Sequence, residues 1–252
     1  VLYLTPLVVG LLTVFSFQPF NITILNFFIL PIFFYLTVYV NKKSKSTFRK
    51  KPYKKNLFIL GSLFGFGFYL SGISWITNSL TFDENFKILI PFALIFIPMF
   101  LGVFYGLSTY LFFMINIKKP LSNLFLFSLL FGLTEFLRGN ILTGFPWNLI
   151  AFSFSENLEI LQILSLTGTY GFNILCISFF ASPAIFIIWE NKKEIFVCIC
   201  FLLSPIILYS IGSFKIKSFQ SANTIYNDYI IRIISSKIDL ERFYGNTDTI
   251  EV

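Results

Sequence analysis

Glu135 and Arg138 stand three residues apart near the end of a long apolar run, in a segment, Thr134–Trp147, that reads T-E-F-L-R-G-N-I-L-T-G-F-P-W. On a helix this spacing puts both side chains on one face, where opposite charges can neutralise each other. An isolated charge at bilayer depth costs about 2.5–3.5 kcal/mol on insertion scales, so an acid and a base kept there form either a structural ion pair or a functional site. Gly144, Phe145, Pro146 and Trp147 follow: a flexible residue, a rigid turn former and two aromatics. That composition suits a loop dipping into the headgroup region, as an interfacial anchor or as a place where lipid gains access. Other chemical material is scarce. The chain has no His, and Cys176, Cys198 and Cys200 fall in hydrophobic stretches without C-x-x-C or Cys/His spacing. The sequence therefore predicts buried structural thiols, no Ser-His-Asp triad, no metal site and no cofactor.

The elements that hold these residues are written in the composition. The 252 residues are 56% hydrophobic and only 12% charged, with a mean hydropathy of +0.79. A soluble domain with a polar surface hardly shows such a balance. The net charge of +7 does not point to nucleic acid, because eight of the nineteen basic residues lie between Lys42 and Lys55, between two apolar runs. That pattern reads as a cytoplasmic membrane loop. The 36 Phe are scattered through the apolar runs, as packing and lipid-facing side chains rather than a ligand cage.

Crossing a hydrocarbon core of about 30 Å takes roughly twenty apolar helical residues. Seven stretches meet or approach that length, near residues 1–17, 22–40, 57–79, 88–115, 121–138, 160–188 and 195–212. Pro31, Pro91, Pro98, Pro183 and Pro205 lie inside them, as membrane helices tolerate. The sequence thus predicts an all-α polytopic membrane bundle of about seven transmembrane helices. Lys118 with Lys119, and Lys192 with Lys193, join Lys42–Lys55 on the even-numbered loops, while the odd loops hold little basic charge. The even loops are then cytoplasmic and the C-terminal segment is on the far side, with Lys215 and Lys217 against that assignment. Gly61 with Gly65, and Gly102 with Gly106, are each spaced G-x-x-x-G and are expected to pack helices within the bundle, leaving a monomer. Gly65-Phe66-Gly67 is no phosphate loop, for it lacks a third Gly and a flanking strand.

After Gly212 the pattern changes. Tyr229–Ile234 is a β-branched run followed by Gly245-Asn246, which reads as a first strand of a soluble domain whose partners this sequence does not contain. The reading is therefore a transmembrane domain over residues 1–212, then a linker and a truncated domain start over residues 213–252. Val1 falls within an apolar run, so truncation is expected at that end as well.

The Thr134–Trp147 segment resembles that of bacterial apolipoprotein N-acyltransferases, where a helix end T-E-x-L-R-G is followed by x-x-T-G-F-P-W. The match falls on Thr134, Glu135, Leu137, Arg138, Gly139, Thr143, Gly144, Phe145, Pro146 and Trp147. Phe15–Phe20, Gly65–Ile76 and Leu166–Gly171 resemble the same family's aromatic-proline turn, third helix and sixth helix, in order. The resemblance implies a membrane bundle carrying a periplasmic nitrilase-like α/β domain, inserted before a last helix, with Tyr229 onward as that domain's opening strand. Ser235-Ser236-Lys237-Ile238 departs from the family there. It implies a Glu-Lys-Cys triad that takes an acyl chain from a phospholipid as a thioester and passes it to the α-amine of a diacylglyceryl-modified apolipoprotein. It also implies location in the bacterial inner membrane with a periplasmic C-terminal segment.

None of the three catalytic residues is expected in this chain, which would be inactive alone. Gly144, Phe145, Pro146 and Trp147 would form the lipid-access loop. The alternative, a non-enzymatic transporter or lipid-binding bundle, is motivated by the kinked helices and the Glu135/Arg138 pair. No convincing repeat links the two halves. Topology is open to direct test. Single cysteines placed between Lys42 and Lys55 and beyond Gly212 are expected to react with an impermeant maleimide from opposite sides of sealed vesicles, and labelling from one side would undo the orientation.

Overall fold

A computed structural model of the protein describes residues 3–44, 54–115, 117–141 and 144–221 together with Arg232. The strand expected at Tyr229–Ile234, and most of the basic loop, lie outside the described residues. Among the described residues every regular element is helical. Helix α1, Leu4–Leu12, continues as a 3-10 turn over Thr13–Ser16. Next come α2 (Asn26–Ser44), α3 (Lys54–Gly72), α4 (Ile90–Met114) and α5 (Pro120–Asn140). A 3-10 helix at Ile150–Phe154 and the short α6 (Leu158–Leu161) lead into α7 (Leu164–Ala181). A 3-10 turn at Ser182–Ala184, then α8 (Ile185–Ile188) and α9 (Lys192–Ser221) complete the bundle.

The count of crossings needs correction. Five described helices are long and apolar enough to span a bilayer: Thr23–Ser44, Glu84–Met114, Pro120–Asn140, Leu164–Ile188 and Lys192–Ser221. A sixth exists if α3 and the following 3-10 helix, Ser74–Thr81, count as one span, but they are bent by 48°. The apolar run at 57–79 conceals this break at Ile73, because hydropathy is blind to backbone direction. Leu4–Ser16 is too short to qualify. At the other end α9 runs past Gly212 to Ser221, so the composition change there does not end the helix. Pro98 and Pro205 sit inside α4 and α9 without ending either.

The outer surface has the chemistry of a membrane protein. Phe92, Phe96 and Phe100 on α4 and Phe196, Ile206 and Ile207 on α9 are all exposed, Phe196 at 68%. Inside, aromatic rings fill the centre: Phe33 stacks on Phe64 with ring centroids 3.9 Å apart, and Phe131 meets Phe33 edge-on at 5.4 Å. Cys176 and Cys198 are buried thiols as expected, whereas Cys200 faces outward.

In lipid there is little hydrophobic gain from bringing two apolar helices together, so close packing and interhelical hydrogen bonds must do it. The glycine pairs supply that here. A Cβ at Gly61 would lie 2.3 Å from Tyr105 O, one at Gly65 2.8 Å from Gly102 Cα, and one at Gly106 2.9 Å from Phe58 O. Both G-x-x-x-G motifs therefore meet each other, between α3 and α4, and Thr109 Oγ1 donates to Leu57 O at 2.7 Å across the same seam. Gly61→Val is expected to lower the thermal unfolding midpoint in detergent, by the equivalent of about 1–3 kcal/mol of overpacking. Phe196→Leu on the outer face should leave that midpoint nearly unchanged.

Candidate functional site

The last two turns of α5 carry Glu135 and Arg138 into the interior, where they are 1% and 2% exposed. The i, i+3 spacing brings them to one face, but they do not close on each other. Among the described residues the ion pair is Lys87 with Glu84, at 2.5 Å on the surface. Glu135 instead accepts from Tyr105 on α4, whose hydroxyl lies 2.6 Å from Oε1, and from the Asn173 amide on α7 at Oε2. Arg138 turns the other way, toward the loop that follows its own helix. Its Nη1 donates to Phe145 O and its Nη2 to Trp147 O at 3.0 Å, and the guanidinium lies over the Tyr69 ring, 5.2 Å from the centroid. A planar fork with parallel donors suits two carbonyls of one loop.

The loop is thus held at Phe145 and Trp147 by Arg138 and, beyond its end, at Ala151 by Asn173. The Asn173 side chain accepts from the Ala151 backbone N–H at 3.0 Å through Oδ1, while its Nδ2 donates to Glu135. At the start of the loop the backbone follows the residue types. Gly144 has φ 80°, in the region that favours glycine, and a Cβ there would sit 2.3 Å from Gly139 O. The Phe145 N–H donates back to Arg138 O at 3.0 Å, and Phe145 packs against the core. Pro146 and Trp147 are exposed. The four residues expected to form a lipid-contacting loop therefore divide into a hinge, an anchor and two outward groups.

Trp147 rests edge-on against Trp75, with ring centroids 5.7 Å apart. Trp75 belongs to the 3-10 helix past the break in α3, and the next residue, Ile76, lines an apolar groove between that segment and α4. The groove has a volume of about 430 Å³, and its walls include Leu80, Leu89, Phe92 and Phe96. On the same end of the bundle, Asn21 Nδ2 donates to Glu156 at 2.5 Å and Thr23 Oγ1 to Ser153 O at 2.8 Å. The odd-numbered loops are gathered there. Around the Arg138 cluster and the groove, the arrangement holds a loop and a hydrocarbon-sized recess; it contains no thiol or imidazole to act as a nucleophile or base.

Sequence reasoning reached Glu135, Arg138 and Gly144–Trp147 but not Tyr69, Tyr105 or Asn173. A polar amide in the middle of an apolar run was a usable signal for Asn173, since such a group at membrane depth needs a partner. Nothing local marked Tyr69 or Tyr105, which come to Arg138 and Glu135 from separate helices.

Residues 9–182 match the family described as the apolipoprotein N-acyltransferase N-terminal domain. Three curated relatives bear the name apolipoprotein N-acyltransferase. The protein of Rickettsia prowazekii (strain Madrid E) is 33% identical over 195 residues, covering 74% of this chain and 38% of its own length. That of Rhodopseudomonas palustris (strain ATCC BAA-98 / CGA009) is 32% identical over 184 residues, covering 72% and 33%. That of Sinorhizobium medicae (strain WSM419) is 33% identical over 190 residues, covering 73% and 34%. The chain spans roughly a third of the length of these relatives.

The clamp makes a measurable prediction. Asn173→Leu deprives both Glu135 and the Ala151 N–H of a partner, and each unmet buried group costs about 1–3 kcal/mol. Hydrogen–deuterium exchange of residues 145–151 is expected to accelerate in Asn173→Leu and in Arg138→Met. Arg138→Lys should restore little of the protection, because one ammonium cannot reproduce the two-carbonyl fork.

Proposed function

We propose, since the chain belongs to the apolipoprotein N-acyltransferase family, that it is the membrane portion of an enzyme with that activity. In this reading residues 1–212 form the core of the transmembrane domain, and residues 213–252 begin a periplasmic nitrilase-like domain, with the protein in the bacterial inner membrane. A thiolate of the Glu-Lys-Cys triad attacks the ester carbonyl of a phospholipid and expels the lysophospholipid, leaving an acyl thioester. The free amine of a diacylglyceryl-cysteine lipoprotein then attacks the thioester, releasing the thiolate and forming an amide. None of those three residues falls within this chain, which is inactive alone.

What these residues contribute is delivery of the lipid. The observation that carries this role is the Trp75–Trp147 contact, because it sets the clamped loop beside the apolar groove at the break in α3. Hydrocarbon fits the groove, and exposed tryptophans at one end suit the headgroup level. The loop Gly144, Phe145, Pro146 and Trp147 is then a lipid-access element, and Glu135 and Arg138 hold its base through separate partners.

In the full-length protein, Trp147→Ala is expected to lower acyl transfer from a labelled phospholipid to a diacylglyceryl peptide by about tenfold, mainly by raising the apparent KM for phospholipid. Mass spectrometry of the triacylated product reads this out. Unchanged kinetics would remove the loop from lipid delivery. A full-length protein without any transfer would leave a lipid-binding bundle instead of an enzyme.

A further inference from the structure

A second apolar cavity lies between α7 and α9 and shares no lining residue with the groove beside Trp75. Its volume is about 150 Å³, and its walls include Phe154, Ile160, Phe172, Cys176, Ser204 and Leu208. The part of α9 that lines it, from Phe201 to Leu208, lies between two sets of fastenings. Near the start, Cys198 Sγ donates to Ser182 O at 3.2 Å. Near the other end, Gly212 approaches α6 so closely that a Cβ would meet Glu159 Cα at 2.9 Å, and Lys215 Nζ lies 3.3 Å from Ser165 Oγ. Between these fastenings Phe201 meets Phe125 of α5 with ring centroids 6.2 Å apart, and Ser204, Pro205 and Leu208 line the cavity.

The wall offers almost no polar chemistry. Ser204 is its hydroxyl residue, and that group donates to Phe201 O on its own helix at 2.7 Å. Apolar cavities of this size stay dry and accept apolar ligands. The source of such a ligand borders the same helix: Phe196, Leu203, Ile206 and Ile207 are exposed on a span that is apolar enough to lie in hydrocarbon. Seven residues beyond Leu208, about 10 Å along the helix at its usual rise, stands Lys215. Lys217 follows, exposed. These are the two lysines that run against the charge sorting of the loops, and a local anionic partner gives them a purpose.

We infer that this cavity holds a short stretch of an acyl chain of an anionic membrane phospholipid whose phosphate pairs with Lys215. The site is separate from the groove beside Trp75 and requires no acyl transfer. A chain seated there packs on Phe154, the last residue of the 3-10 helix whose Ala151 N–H is bound by Asn173. It therefore braces the segment that anchors the loop.

The test uses the 252-residue chain reconstituted in vesicles of phosphatidylethanolamine and phosphatidylglycerol, with a phosphatidylglycerol probe bearing a diazirine in mid-chain. After irradiation, adducts are mapped by peptide mass spectrometry. Adducts are expected on the inward residues Phe172 and Cys176 as well as on the outward Phe196 and Ile206. Ser204→Phe fills the cavity from α9 and should cut the inward adducts about tenfold while leaving the outward ones unchanged. Ser204→Leu is read in its place if the larger variant loses its cooperative thermal transition. Lys215→Gln should weaken inward labelling by the phosphatidylglycerol probe. Adducts confined to the outward face, or inward adducts that survive both cavity-filling and Lys215→Gln, would overturn the inference. So would a diazirine fatty acid that labels Phe172 and Cys176 as strongly as the phospholipid.

Discussion

A carboxyl group and a guanidinium buried in an apolar bundle must each find hydrogen-bond partners, and the rest of this structure is arranged around that requirement. Leaving either group unmatched in low-dielectric surroundings costs more than most single packing contacts contribute. Glu135 therefore draws Tyr105 from α4 and Asn173 from α7, and Arg138 draws the carbonyls of Phe145 and Trp147. Three helices and one loop are fixed relative to one another by two side chains of α5. Because the partners are backbone carbonyls and neutral side chains, the two charges need not touch.

That clamp can form only where the helices approach closely enough. Glycines in α3 and α4 bring Tyr105 and Tyr69 near α5, and the stacked rings of Phe33 and Phe64, with Phe131 edge-on to Phe33, fill the space left beside them. Dispersion between such rings substitutes for the hydrophobic driving force that lipid surroundings lack. The break after Gly72 is part of the same scheme. It turns the chain aside so that Trp75 meets Trp147 and a groove opens toward α4, where an unbroken helix would have packed shut.

The functional reading follows from the division between a rigid polar base and an apolar rim. The rim presents exposed Phe92 and Phe96 and ends in exposed tryptophans; the base holds the loop through the hydrogen bonds of Arg138 and Asn173. In the function proposed above, this rim and base hold and orient a lipid chain while the acyl-transfer chemistry is done by other residues. The cavity beside α9 is a second apolar recess, lined from α7 and α9 almost entirely by hydrophobic side chains.

The sequence by itself determined the apolar runs, their order, and the membrane as solvent, because hydropathy over some twenty residues is a local sum that no neighbour can reverse. It also marked Glu135, Arg138 and the Gly144–Trp147 loop, since charge at bilayer depth and a glycine-proline-tryptophan cluster stand out without any fold. Their partners were decided by tertiary structure. Whether Arg138 pairs with Glu135 or with two loop carbonyls depends on which groups three other elements bring within hydrogen-bond reach, and spacing along one helix cannot report that. The break at Ile73, the continuation of α9 beyond Gly212 and the outward turn of Cys200 were likewise settled by packing, for each depends on backbone direction or helix rotation, quantities that composition does not encode.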